Sequence, residues 1–389
     1  MDSPHSITVV APINIAFIKY WGKRLGGETL ILPTNDSFSI TLSTEPFRST
    51  TSVVLSSKIT EDQLWLNGEK SELEDTPRLT NVLETIRSTA PPERAQLRAL
   101  MVSENNFPTA AGMASSASGY CALAFALVKV FASHADVSAL ARVGSGSACR
   151  SAYGGFVQWK KGEQVDGADC VAVQFVDHRY WPEMQVMCTV LKGQKKDISS
   201  TKGMQWSLET SPMMPQRIEE VVPRRMLEVS EAIRQRDFDR FAEITMLDSD
   251  DLQAVCATTT PKIQYATEDS YAMIRLVHAL NKQKGRRIVG YTFDAGANCF
   301  LFCLKEHIAE VIAVVLAHFP TDDKKLCFHD MSLIESYKTV SLDTGCSTLL
   351  GDYPKKSLEF FLQSPVGQGP TVLDPSSSLI TAEKFGLLI

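Results

Sequence analysis

Four short segments of the chain combine residue types suited to holding phosphate. The first is Asn105-Asn106-Phe107-Pro108-Thr109-Ala110-Ala111-Gly112-Met113-Ala114-Ser115-Ser116-Ala117-Ser118-Gly119. Small residues such as Gly112 and Ala114 let the backbone approach an anion. The apolar stretch that follows reads as a helix whose N-terminus, with its free N–H groups and partial positive charge, points back at the loop. The hydroxyls of Ser115 and Ser116 are placed to contact phosphate or to help hold Mg²⁺. The loop is not a Walker A motif, because its Gly-Lys-Ser/Thr ending is missing. The second segment, residues 11–24, sets Lys19, Lys23, Arg24 and the Tyr20 hydroxyl close together after a strand. The third, Gly144-Ser145-Gly146-Ser147-Ala148-Cys149-Arg150-Ser151, offers hydroxyls, a second helix start and an arginine. The fourth contains Lys192, Lys195, Lys196, Ser199, Ser200, Thr201 and Lys202. Taken alone, the loop reads equally well as a flexible cap on a buried helix, whereas each basic run reads rather as solvated surface and Asp294 rather as a turn carboxylate bonded to its own backbone. Together, the four segments point to a site for phosphate-bearing ligands.

The combination resembles the GHMP kinase superfamily and, within it, the mevalonate diphosphate decarboxylase family. Residues 108–117 are similar to the superfamily's P-x-x-x-G-x-x-S-S-A phosphate loop, with Met113 and Ser118 standing where Leu and Ala are frequent. The narrower resemblance lies in Ala-Pro-Ile-Asn-Ile-Ala…Lys-Tyr-Trp-Gly-Lys-Arg (11–24), Asn-Phe-Pro-Thr-Ala-Ala-Gly (106–112), Gly-Ser-Gly-Ser-Ala-Cys-Arg-Ser (144–151) and Phe-Asp-Ala-Gly-Ala-Asn (293–298), which come in the family's order. The resemblance implies an α+β, two-lobed GHMP kinase fold: an N-terminal lobe similar to the second domain of ribosomal protein S5, a ferredoxin-like C-terminal lobe, and an active site in the cleft between them. It implies ATP-dependent decarboxylation of mevalonate 5-diphosphate to isopentenyl diphosphate, through 3-phosphorylation and then loss of phosphate and CO₂. Asp294, Lys19, Arg150 and Asn14 are the implied catalytic set. Tyr20, Lys23, Ser145, Ser147, Arg150 and Ser200 are implied for the substrate. Asn105, Gly112, Ala114, Ser115 and Ser116 are implied for ATP, with Ser116 also on Mg²⁺. A homodimer is implied too. Arg150 stands where many kinases of the superfamily carry Asp; an arginine clamps a substrate carboxylate that an aspartate would repel. A mevalonate 5-phosphate decarboxylase, a mevalonate 3-kinase and a non-catalytic nucleotide or metabolite sensor on the same fold are the alternatives.

The elements that must position these residues follow from periodicity. Strands are expected over residues 6–11, 37–42, 49–55, 63–66, 97–103, 156–159, 184–191, 289–293 and 299–304, the last pair joined by a turn at 294–298. Asn67-Gly68 marks a hairpin turn. Helices are expected over 76–89, 116–132, from Asp136 to Arg142, 147–153, broadly over 216–255 with Pro223 interrupting, over 267–284 between a Thr267 cap and Gly285, and over 305–319. Lobes of 1–187 and 188–389 are expected. Residues after about 330 carry no motif, and 367–370 read as a loop.

Composition bounds the rest. The chain has 389 residues, 44% of them hydrophobic and 22% charged, enough to bury a core. With 39 basic and 45 acidic residues the net charge is −6, which argues against nucleic-acid coating while leaving room for a local basic pocket. Nine cysteines without a CxxC pair read as reduced thiols of a cytoplasmic protein rather than a zinc site. The N-terminus lacks the pattern of a secretory signal, and no apolar run is long enough to suggest a membrane partner.

Overall fold

The computed structural model describes residues 5–24, 26, 29–73, 76–107, 115–191, 197–342, 344–351 and 353–385, apart from the side chains of Ser115, Thr344, Ser347 and Ala382. Residues 108–114 of the phosphate loop, and with them Gly112 and Ala114, lie outside the described residues. So do Lys192, Lys195 and Lys196.

Three sheets organise the chain. The first has six strands in the order Thr371–Val372, His5–Ala11, Ser49–Ser56, Arg98–Asn105, Gln63–Leu66, Glu69–Ser71. Asn67 and Gly68 both take positive φ, as the hairpin between the last two requires. Helices Pro77–Ser88, Ser115–Val130 and Val137–Gly144 cover one face. There Leu79, Val82, Leu83 and Ile86 pack with Val9, Val53, Leu55 and Met101. Asp136 caps the third of these helices by accepting from Ala139 N–H at 2.8 Å.

The second sheet runs Asn14–Ile18, Ser37–Thr41, Phe156–Trp159, Ala172–Val176, and the third runs Val289–Phe293, Cys299–Leu304, Met184–Leu191, Leu358–Pro365, Leu326–Phe328. One core joins them. Phe17 of the second sheet and Phe302 of the third both pack on Phe241 of helix Phe238–Thr258, at 5.0 and 5.6 Å between ring centres. Most strand pairs are antiparallel and the helices lie apart from them in sequence, the α+β arrangement expected.

Several elements differ from expectation. Asn14–Ile18 is a strand buried at every position, so it shows no alternation to read. The polar stretch around Ser200 opens a helix, Ser200–Thr210, capped by Ser199. The helical region before residue 255 is broken at Arg236, and the part before it runs without a gap from Met214 to Gln235, with a wide π-turn over Arg217–Val221 just ahead of Pro223. The 187/188 division falls inside strand Met184–Leu191, which belongs whole to the third sheet. After the 367–370 loop the chain returns to the first sheet, where Val9 pairs with Val372, and Ile380 and Phe385 join the cluster around Trp65. Among the described residues no helix is long and apolar enough to cross a membrane.

Candidate active site

Lys19 and Asp294 are 275 positions apart, yet Lys19 Nζ donates to Asp294 Oδ1 at 2.7 Å. Each is the first residue beyond a strand, Asn14–Ile18 and Val289–Phe293, and each strand lies at the end of its sheet. The Lys19 side chain is only 3% exposed and that of Asp294 36%, so the carboxylate is the partner a ligand reaches. Burial pushes the Lys19 pKa below lysine's usual value, and the Asp294 charge works against that fall.

The Lys19 backbone is held as well. Its N–H donates to Asp248 Oδ2 at 2.8 Å, and its carbonyl accepts from Asn35 Nδ2 at 3.1 Å and from Arg217 at 3.3 Å. Asp248 is fully buried. Both terminal nitrogens of Arg217 donate to it, at 3.0 and 3.1 Å, and Arg225 donates at 3.1 Å. Burial by itself would raise the Asp248 pKa; the two guanidiniums outweigh it and hold the carboxyl below its usual range.

Arg150 sits in the short helix Ala148–Ser151 with its guanidinium 5.7 Å from the centre of the Trp159 ring. Nε donates to Asn14 Oδ1 at 3.2 Å and Nη1 to Ser37 Oγ at 2.9 Å. Asn14 is fixed in turn, donating to the Ser147 carbonyl at 3.0 Å and to Ser151 Oγ at 2.8 Å. Among the described residues none accepts a hydrogen bond from the second terminal nitrogen of Arg150.

Lys19, Asp294, Arg150 and Asn14 line one cavity of about 340 Å³, together with Tyr20, Lys23, Ser116, Ser145, Ser147 and Ser200. Ser145 and Ser147 reach it because Gly146 between them packs closely on the wall: a Cβ there would lie 2.9 Å from Ile31 and 3.0 Å from the Trp159 ring. Ser199 caps helix Ser200–Thr210 by accepting from Lys202 N–H at 3.3 Å, so Ser200 and Thr201 open on the cavity at a helix N-terminus. The described lining holds four cations, Lys19, Lys23, Arg78 and Arg150, against one acid, Asp294. Burial in the wall raises the Tyr20 hydroxyl pKa, so it stays protonated. A smaller, mainly apolar hollow of about 250 Å³ adjoins, lined by Leu64, Leu66, Leu79, Tyr120 and Leu123 with Asn105 at its side. Ser116 lines both.

Two selected cations lie elsewhere. Arg24 donates to the Lys161 carbonyl at 2.7 Å, and Lys202 stacks on the Trp206 ring at 4.6 Å. Conversely, nothing in the sequence marks Arg78 or the Asp248–Arg217–Arg225 cluster. Arg78 follows Pro77 in an ordinary amphipathic helix. Asp248 belongs to Asp248-Ser249-Asp250-Asp251, which reads as a solvated acidic run; only its register against an apolar face hints otherwise.

The diphosphomevalonate decarboxylase-like N-terminal domain family matches residues 11–172, and the mevalonate 5-diphosphate decarboxylase C-terminal domain family matches residues 186–373. The chain is 42% identical over 381 residues to the human diphosphomevalonate decarboxylase, covering 95% of this chain and 94% of that one. The chain belongs to the mevalonate diphosphate decarboxylase family. A mevalonate diphosphate decarboxylase from Trypanosoma brucei superposes with a TM-score of 0.95 at 63% identity, covering 97% of this chain and all of that one. A further member, MDDEF, solved in complex with MVAPP, AMPPCP and magnesium, superposes at 0.75 with 29% identity over 96% of this chain and all of that one. The two-lobed fold is therefore the family's, and the function is mevalonate diphosphate decarboxylation, a carboxy-lyase activity, rather than the 5-phosphate, 3-kinase or sensor alternatives.

Proposed function

We propose that the 340 Å³ cavity decarboxylates mevalonate 5-diphosphate with its side chains in the following roles. The nucleotide base lies in the apolar hollow. Because Ser116 belongs to both spaces, the phosphates of ATP cross from one to the other beside it, flanked by Asn105, Ser115 and the start of helix Ser115–Val130. Gly112 and Ala114, by resemblance, complete that cradle. Magnesium fits there as a phosphate-bound ion with the Ser116 hydroxyl, since Mg²⁺ takes oxygen ligands largely from substrate phosphates. When bound it neutralises charge on the phosphates.

The substrate diphosphate meets Tyr20, Lys23, Ser145, Ser147 and Ser200, and its carboxylate meets Arg150, which Asn14 holds in place. The tertiary 3-hydroxyl then faces Asp294. As its oxygen bonds the γ-phosphorus and the bond from that phosphorus to the bridging oxygen breaks to release ADP, the hydroxyl proton passes to the carboxylate, late in the step because a free alcohol is weakly acidic. Lys19 keeps Asp294 ionised beforehand and balances charge on the transferring phosphoryl. The C–O bond next breaks, phosphate departs, and the C–C bond to the carboxylate supplies the electron pair of the new alkene as CO₂ leaves. Arg150 aligns that carboxylate throughout.

The Lys19–Asp294 pair inside a cation-lined cavity carries this assignment. Incubation with ATP, Mg²⁺ and mevalonate 5-diphosphate should release ADP and CO₂ in equal amounts. ADP without CO₂ would overturn the Arg150 role. We also assign the protein to the cytoplasm as a homodimer: eight of nine free cysteines are buried thiols, suited to a reducing compartment, and the dimer follows from the resemblance. Sedimentation velocity checks the assembly.

A further inference from the structure

Lys19 and Asp294 each lie just past the last residue of an end strand, and the two strands belong to different sheets. Sheet pairing therefore stops short of both. Helix Phe238–Thr258 takes over where it stops. Asp248 accepts the Lys19 N–H at 2.8 Å, and Ser249 Oγ accepts the N–H of Phe293, the neighbour of Asp294, at 3.1 Å. Two successive residues of one helix thus hold the backbone beside both members of the pair. Asp248 and Ser249 are both buried, and Arg217 ties Asp248 back to the Lys19 carbonyl. The next residue, Asp250, accepts from the Tyr291 hydroxyl at 2.9 Å and so grips the same strand two residues further from the chemistry, through a side chain.

We infer that Asp248 and Ser249 are positioning residues for the reaction: this helical turn sets the separation of Lys19 and Asp294 across the two sheets. The inference rests on the catalytic assignment of that pair. Loosening either anchor lets the pair drift, and a misplacement of about 1 Å is enough to cost about 10²-fold in rate. Both substrates still bind, because neither residue lines the cavity.

The test is Ser249→Ala in the full-length protein, beside Tyr291→Phe, which loosens the same strand without touching the Phe293 N–H. For Ser249→Ala, kcat should fall about tenfold or more with both KM values within about twofold of the parent. Its alkaline pH limb should also move to lower pH. Burial pulls the Lys19 pKa down, Asp294 and Asp248 hold it up and Arg150 lowers it, so a weaker Asp294 contact leaves burial less opposed. Tyr291→Phe should lower the melting temperature and leave kcat and the pH limb in place. Should Ser249→Ala not fold, Ser249→Cys keeps the shape with a weaker acceptor and is read the same way. Parent-like kcat in Ser249→Ala, or equal losses of kcat in Ser249→Ala and Tyr291→Phe at matched stability, would overturn the inference. Asp294→Asn separates the two levels: if it stays active, the assignment of the pair fails; if it is dead while Ser249→Ala keeps its kcat, only the positioning role fails.

Discussion

In the proposed mechanism Asp294 and Arg150 act on opposite ends of one problem, a hydroxyl that must lose a proton and a carboxylate that must keep its alignment. Asparagine at 294 keeps the size of the side chain and removes the proton acceptor. Asp294→Asn should lower kcat by about 10³-fold, within the range for general-base loss, while the ATP affinity from a direct binding titration changes little. Arg150 is held by Asn14, Ser37 and the Trp159 ring, a planar fit a lysine ammonium cannot reproduce. Arg150→Lys should cut kcat/KM for CO₂ release by about 100-fold, measured as labelled CO₂, although the formal charge is unchanged. The pH profile has a definite sign. In its proposed role Lys19 acts as an ammonium ion, so activity should fall as pH rises through its pKa, and burial places that limb below lysine's usual value. Much of the cavity lining was legible in residues 11–24, 144–151 and 293–298, which supply Asn14, Lys19, Tyr20, Lys23, Ser145, Ser147, Arg150 and Asp294. The support beneath it was not, because sequence alone does not tell which carboxylate of the 248–251 run is buried: Asp248 is, while Asp251, on the same Arg225, stays partly exposed.

At the scale of elements, close helix contacts divide the work between the two hollows. Gly144 ends helix Val137–Gly144 against Tyr120 of helix Ser115–Val130; a Cβ at Gly144 would lie 2.0 Å from the Tyr120 ring. Tyr120 lines the apolar hollow. Gly144→Ala should therefore push Tyr120 toward the nucleotide and raise the KM for ATP about tenfold, leaving the KM for mevalonate 5-diphosphate within about twofold; initial-rate kinetics with each substrate varied decides it. Strands with alternation or a plain apolar run, such as Ser49–Ser56 and Met184–Leu191, were readable. Asn14–Ile18 was not, because two residues separate it from His5–Ala11 and burial on both faces removes its periodicity. Helix Ser200–Thr210 hid for another reason: its lysine-rich approach resembles a surface loop, and only the Ser199 cap marks its start.

The whole molecule is laced at its C-terminus. Thr371–Val372 pairs with the first strand, and Ile380, 1% exposed, lies in the cluster beneath Trp65. Removing residues 367–389 should lower the melting temperature by about 5 °C or more by differential scanning calorimetry, since burying a single isoleucine contributes about 1.5–3 kcal/mol. The overall acidity of −6 coexists with a cavity lined by four cations and one acid, so the charges that matter are separated from the bulk of the surface.

The 275-residue span between Lys19 and Asp294 also orders events during synthesis. The helix that aligns them and the strand that carries Asp294 leave the ribosome long after Lys19 has been made. A nascent chain shorter than about three quarters of the full length lacks Asp294, the proposed proton acceptor. Strand Leu358–Pro365 is made later still and lies between Met184–Leu191 and Leu326–Phe328, so the sheet beside Asp294 is complete only when nearly the whole chain has been synthesised.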